Sequence, residues 1–185
     1  VIIDRILDTC LVSGNLPNIN LSAQVLNDPG NGAGTFTWQV NGNPSNGIFS
    51  PAQAGQYNIH LTYEFDGCSF EADRMVNFFA TPVAAISADN RICLNASNAI
   101  SFSGTAPTGA TYTWNFDGGT PAAVTGPGPH QISWTTAGTK RITVVASANG
   151  CTSAQGTFDV LIDQPLGTPV INCDNAAITT TSTGF

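Results

Sequence analysis

Polar and apolar residues alternate over long stretches of this chain. Tyr57, Ile59, Leu61, Tyr63 and Phe65 are interleaved with Asn58, His60, Thr62 and Glu64. A period of two turns one set toward a core and the other toward water, so the pattern predicts a strand with one buried face. Ile142, Val144, Ala146 and Ala148 repeat the arrangement further on. Each run ends in a pair of residues that tolerates positive φ, Asp66-Gly67 and Asn149-Gly150. These pairs predict type I′ hairpins, with return strands from Cys68 to about Phe79 and from Cys151 to about Ile162. Upstream, Phe36, Trp38 and Val40 share one face, as do Tyr112, Trp114 and Phe116. Both segments read as central strands whose Trp38 or Trp114 fills the core. No helical periodicity of any length is present.

The pattern itself repeats. Ala54-Gly55-Gln56-Tyr57-Asn58-Ile59 matches Ala137-Gly138-Thr139-Lys140-Arg141-Ile142, and the cysteines keep the same offset, since 93 − 10 and 151 − 68 both give 83. The tryptophans are offset by only 114 − 38 = 76 residues. Such a compensating length change belongs in loops, where closure entropy rises slowly with length. A third copy is predicted to open at Thr168-Pro169-Val170, with Cys173 echoing Cys93, so the 185 residues read as part of a longer array. The expected domains are 1–81 and 82–167, followed by the start of an incomplete repeat over 168–185. Short strands, a mid-strand aromatic and frequent turn signals predict an all-β chain of tandem immunoglobulin-like β-sandwich domains. Within each repeat the cysteines are 58 residues apart (68 − 10 and 151 − 93). This spacing predicts one disulfide per domain, Cys10–Cys68 and Cys93–Cys151, and leaves Cys173 unpaired. Disulfides imply an oxidising compartment, hence an extracellular or cell-surface location.

Two segments carry a resemblance to a known family. They are Tyr112-Thr113-Trp114-Asn115-Phe116-Asp117-Gly118-Gly119-Thr120-Pro121 and Trp134-Thr135-Thr136-Ala137-Gly138-Thr139 with the strand that follows. Together they resemble the PKD-like (polycystic-kidney-disease-type) repeats of large secreted proteins in Bacteroidota-type bacteria, over about residues 82–165. The first repeat is similar to a related immunoglobulin-like module of such proteins. It carries Val40-Asn41-Gly42-Asn43 in place of the F-D-G-G segment, and the second repeat has Lys140 where the family has a tyrosine. The resemblance implies extracellular display, as spacers and adhesive stalks in surface adhesins, gliding-associated proteins and multidomain secreted enzymes. Many of these proteins leave the cell by type IX secretion.

Composition narrows the functional classes. Twelve Asp and Glu face five Lys and Arg, a net charge of −7, which offers no basic face for tracking nucleic-acid phosphates. No apolar run approaches the ~20 residues of a membrane helix. Neither nucleic acid nor membrane insertion is expected. Catalysis needs a nucleophile, a base and an orienting group that converge. His60 has outward parity on its strand, His130 follows Gly126-Pro127-Gly128-Pro129 in a loop, and no nucleophile motif accompanies either. An enzyme and a resident cofactor are therefore not expected. Calcium takes oxygen ligands from loops, and its candidates are Asp117 beside Gly118 and Gly119, and Asp159 and Asp163 with Asp89. Asp8-Thr9-Cys10 resembles the Asp-Thr acceptor of O-glycosylation in Bacteroidota, which makes Thr9 a candidate glycosylation site. The expected role is a non-catalytic, disulfide-stapled spacer in a long extracellular cell-surface or filament protein. Its expected partners are neighbouring repeats of the same chain, with homo-oligomer or fibre formation through an unfinished repeat. The alternatives are a glycan-binding or adhesion module with its own cell-surface ligand, or accessory domains of a secreted enzyme.

Overall fold

The computed structural model describes residues 1–12, 17–26 and 33–165, and the backbone of Ile171–Asp174 and Ala177–Thr180. All regular elements among the described residues are strands. Contacts divide the chain into two units. The first comprises Val1–Val83, Ala106–Ala110 and Ala146–Ser153; the second comprises Ala84–Thr105, Thr111–Val145 and Ala154–Phe185.

In chain order the first unit contains β1 (Ile2–Ile3), β2 (Thr9–Leu11), β3 (Ile19–Asn20), β4 (Ala23–Gln24), β5 (Thr35–Val40), β6 (Asn43–Ser45), β7 (Ile48–Phe49), β8 (Gly55–Phe65) and β9 (Cys68–Ala80). One sheet has the order β2-β9-β8-β5-β6, while β1 pairs with β4 and β3 with β7. The β2–β9 pair is parallel. Period-two alternation sets the faces as the sequence indicates: Ile59 and Leu61 are fully buried and Tyr63 nearly so. With Trp38, Val76, Phe78, Ile3, Leu11 and Leu21, Ile59 and Leu61 close one core between the sheet and the shorter pairs. Tyr57 donates its hydroxyl to the Gln53 carbonyl at 2.9 Å, which ties down the corner where β8 begins, as in other immunoglobulin-like sandwiches.

The chain continues with β10 (Ile86–Ser87), β11 (Arg91–Cys93), β12 (Ser97–Phe102), β13 (Thr111–Asn115), β14 (His130–Ser133), β15 (Gly138–Ala148), β16 (Cys151–Thr152) and β17 (Gly156–Asp163); the end of β15 from Ala146 and all of β16 fall in the first unit, the rest in the second. One sheet is β10-β12-β14; the other is β11-β17-β15-β13, with β16 also on β15. Ile142 and Val144 of β15 are fully buried, as their parity requires. The return strand expected as one run from Cys151 is interrupted at 153–155. Ser153 folds back there, its Oγ accepting from the Ala146 N–H and its own N–H donating to the Ala146 carbonyl. Lys140 stands where Tyr57 stands in the first repeat and also reaches four residues back, donating from Nζ to Thr136 Oγ1 at 2.8 Å.

The core tryptophan of this unit is Trp134, 1 % exposed, rather than Trp114. The Trp134 indole N–H donates to the Phe116 carbonyl at 2.8 Å. Trp114 is half-buried against the edge of that core: its Nε1–H donates to the Gly126 carbonyl at 3.0 Å, and His130 at the start of β14 packs edge-on against its ring. Gly119 explains the second glycine of the motif. A Cβ there would lie 2.5 Å from Ile132 Cγ2 and 3.1 Å from the Trp134 ring, so only a bare backbone fits. Ile171–Asp174 and Ala177–Thr180, β18 and β19, pair antiparallel. The third repeat expected over 168–185 otherwise lies outside the described residues, as does the Cys173 side chain.

Candidate functional site

The two long hairpins position the cysteines. Asp66 (φ 49°) with Gly67 (φ 77°), and Asn149 (φ 51°) with Gly150 (φ 78°), have positive φ at both central positions, as a type I′ turn requires. Each turn places a cysteine directly after it, with Cys68 opposite Phe65 and Cys151 opposite Ala148. The first cysteine of each repeat sits at the other end of its hairpin. Gly55 pairs with Phe78, and Cys10 sits beside the next residue, Phe79. Gly138 pairs with Ile162, and Cys93 sits beside Asp163, in the same register. Each repeat thus has a base cysteine and a tip cysteine.

This geometry corrects the expected bridges. From Phe79 back to Cys68 is 11 residues (79 − 68) of extended strand, roughly 36 Å at ~3.3 Å per residue. A disulfide needs Cα atoms within about 7 Å, so Cys10 cannot reach Cys68. The 11-residue strand Gly138–Ala148 keeps Cys93 from Cys151 in the same way. The bond that forms instead is Cys10–Cys151, with Cα atoms 5.6 Å apart and a sequence separation of 141. It lies within the first unit, which takes in the hairpin tip Ala146–Ser153. Cys151 is 1 % exposed there, while Cys68 and Cys93 are free and exposed. The spacing of 58 concealed this because the parallel β2–β9 and β11–β17 pairings put each first cysteine at the open end of its hairpin. Thr9, next to Cys10, is half-buried in β2 and donates its hydroxyl to the Leu7 carbonyl at 3.0 Å.

The calcium candidates are not brought together. Asp159 holds Arg141 through two bonds of 2.8 Å, and Asp163 holds Arg91. The arginine in each case keeps the carboxyl below the usual carboxylate range, chiefly by hydrogen bonding. Asp89 is joined through its backbone N–H and carbonyl to the fully buried Asn98 side chain. Asp117 (φ 50°) accepts the Arg141 backbone N–H on Oδ2 at 3.0 Å. In the first repeat Asn41 (φ 51°) does the same with a neutral amide, accepting the Asn58 N–H on Oδ1 at 2.8 Å. The work needs an oxygen, not a charge. Among the described residues no group of three or more potential ligands converges. Asp117→Asn is expected to keep stability within about 0.5 kcal/mol and Asp117→Ala to cost about 1 kcal/mol, with calcium moving neither thermal midpoint. A calcium-induced rise in the parent's midpoint that Asp117→Asn abolishes would assign the carboxylate to a metal instead.

One catalytic-looking row appears that parity alone did not reveal. Asp73 lies opposite His60 across β8 and β9, with Oδ1 3.0 Å from His60 Nδ1; Thr62 Oγ1 is 3.4 Å from Nε2. Hydrogen bonds from His60 and then Asn58 hold the Asp73 carboxyl below its ordinary range. The row sits on a sheet face, on a strand paired along both edges by β5 and β9. Ladder bonding uses the backbone N–H groups of these residues, which therefore offer no oxyanion hole. His130 is likewise occupied, with Nε2 3.1 Å from the Gly126 carbonyl and its ring against Trp114 and Phe116.

No family model matches the chain, and no curated protein matches it. Among solved structures, it is similar to an I-band fragment of titin (TM-score 0.46, 9 % identity, 86 % of this chain and 63 % of that one). It is also similar to the amphioxus IgVJ-C2 molecule (TM-score 0.43, 11 % identity, 82 % and 99 %). A third similarity is to fibronectin(III)-like modules of CbhA from Clostridium thermocellum (TM-score 0.39, 12 % identity, 88 % and 95 %). None of these transfers a ligand or an activity to this chain.

Proposed function

We propose that the chain is a non-catalytic spacer segment of a large extracellular surface protein, built from PKD-like and related immunoglobulin-like repeats and exported by the type IX route. The observation that carries the reading is the Cys10–Cys151 bond, which spans 141 residues. A bond of this kind persists in an oxidising compartment, which supports a secreted location. Its mechanical consequence supports the spacer role. Tension arriving at residues outside the loop crosses from Cys10 to Cys151 through the covalent bond, so the intervening strands are shielded from it. The carboxylates bonded to Arg91 and Arg141, and the histidine row on a sheet face, are consistent with structural rather than chemical work.

A glycan-binding module is the reading to test against this one, because Trp114 and His130 form a half-buried aromatic pair beside the Gly126 loop. The intact chain, its His130→Ala variant and its Trp114→Ala variant should be compared on a glycan array. No reproducible binding is expected. Binding that either substitution removes would replace the spacer with a recognition module.

A further inference from the structure

The base and tip positions are equivalent in the two repeats, yet only one of each is bonded. The formed bond joins the base cysteine of the first repeat, Cys10, to the tip cysteine of the second, Cys151. Among the described residues, what remains is the complementary pair, a free tip at Cys68 and a free base at Cys93, both exposed. The surroundings differ in the same sense. The second hairpin's tip is covered, with Ala146, Ala148, Cys151 and Ser153 all buried. The first hairpin's tip is open, and Phe70, two residues past Cys68, is 51 % exposed. At the base, Leu161, which pairs with Arg91 two residues before Cys93, is 38 % exposed.

From this we infer that Cys68 and Cys93 are the two halves of a second base-to-tip disulfide, each closing on the complementary cysteine of another repeat of this kind. A repeat's base bonds the tip of the one that follows it, so the linkage propagates head to tail as a covalent ladder along the array. This deepens the spacer reading and rests on it. In the cross-linking step, the Cys68 and Cys93 thiols each give up a proton and together two electrons to a low-molecular-weight disulfide. One protein S–S bond forms, and two small thiols leave.

A second copy of the chain supplies the missing partner in the test. In a Cys173→Ser background, the protein is incubated with oxidised glutathione and run without reductant. A ladder of covalent multimers is expected. Cleavage after Lys, Arg and Glu separates the relevant cysteines, placing Cys10 in 6–64, Cys68 in 65–71, Cys93 in 92–140 and Cys151 in 142–185. The cross-linked peptide should join 65–71 to 92–140, while 6–64 stays joined to 142–185. Cys68→Ser and Cys93→Ser alone should each lose the ladder, and their mixture should give a dimer and nothing larger. Dimers formed by either single variant alone as readily as by the mixture would overturn the inference. So would a parent chain that ends as glutathione-capped monomer. Neither outcome bears on the Cys10–Cys151 bond, so the spacer reading survives or fails separately.

Discussion

Replacing Cys10 or Cys151 by serine is expected to lower the unfolding free energy by roughly 2–5 kcal/mol. The bond closes a loop with a sequence separation of 141, and long loops lose the most freedom in the unfolded chain when tied. The double variant should lose no more than either single one, because both substitutions remove the same bond. Cys68→Ser and Cys93→Ser, at exposed unbonded positions, should stay within about 0.5 kcal/mol of the parent. Denaturant titration followed by tryptophan fluorescence reads all five variants. Adding reductant should bring the parent down to the level of Cys10→Ser and leave that variant unmoved. If Cys68→Ser were as damaging as Cys10→Ser, the pairing within one repeat would have to be restored.

Trp134→Ala is the core substitution with the largest expected effect, a loss of roughly 3–5 kcal/mol. The ring is 1 % exposed and packs with Ile100, Phe116, Ile132, Ile142, Val160 and Ile162. Trp134→Phe should separate packing from the hydrogen bond, costing about 1 kcal/mol for the lost indole donor plus a small volume term. Trp114→Ala should cost less than Trp134→Ala, since that ring is half-buried at the edge of the core. Equal losses at the two positions would mean that Trp114 carries the core after all.

What the sequence made legible and what it hid follow from the range of each interaction. Alternation is local, so Ile59, Leu61, Ile142 and Val144 could be assigned to buried faces before any fold was known. The Asp66-Gly67 and Asn149-Gly150 turns are local too, because two residues set them. The pairing of Cys10 with Cys151 depends on which end of β9 the short β2 lies against, and no spacing encodes a parallel register. The exchange of Trp114 for Trp134 has a similar origin: strand parity gives the face, but what packs on that face is set by the Gly126 turn and by His130 of β14 in the other sheet. Asp117 shows a third limit. A turn carboxylate beside two glycines reads as a metal ligand, until Asn41 is found bonding the matching N–H in the first repeat.

Pulling on single molecules tests the spacer reading most directly. The chain is held at residues outside the 10–151 loop and extended to full unfolding, with and without reductant. With the bond intact, the 141-residue span should stay locked, and reduction should release about 490 Å of additional length at ~3.5 Å per residue. Release of that whole length from the unreduced chain would contradict a staple between Cys10 and Cys151 and the shielding it confers.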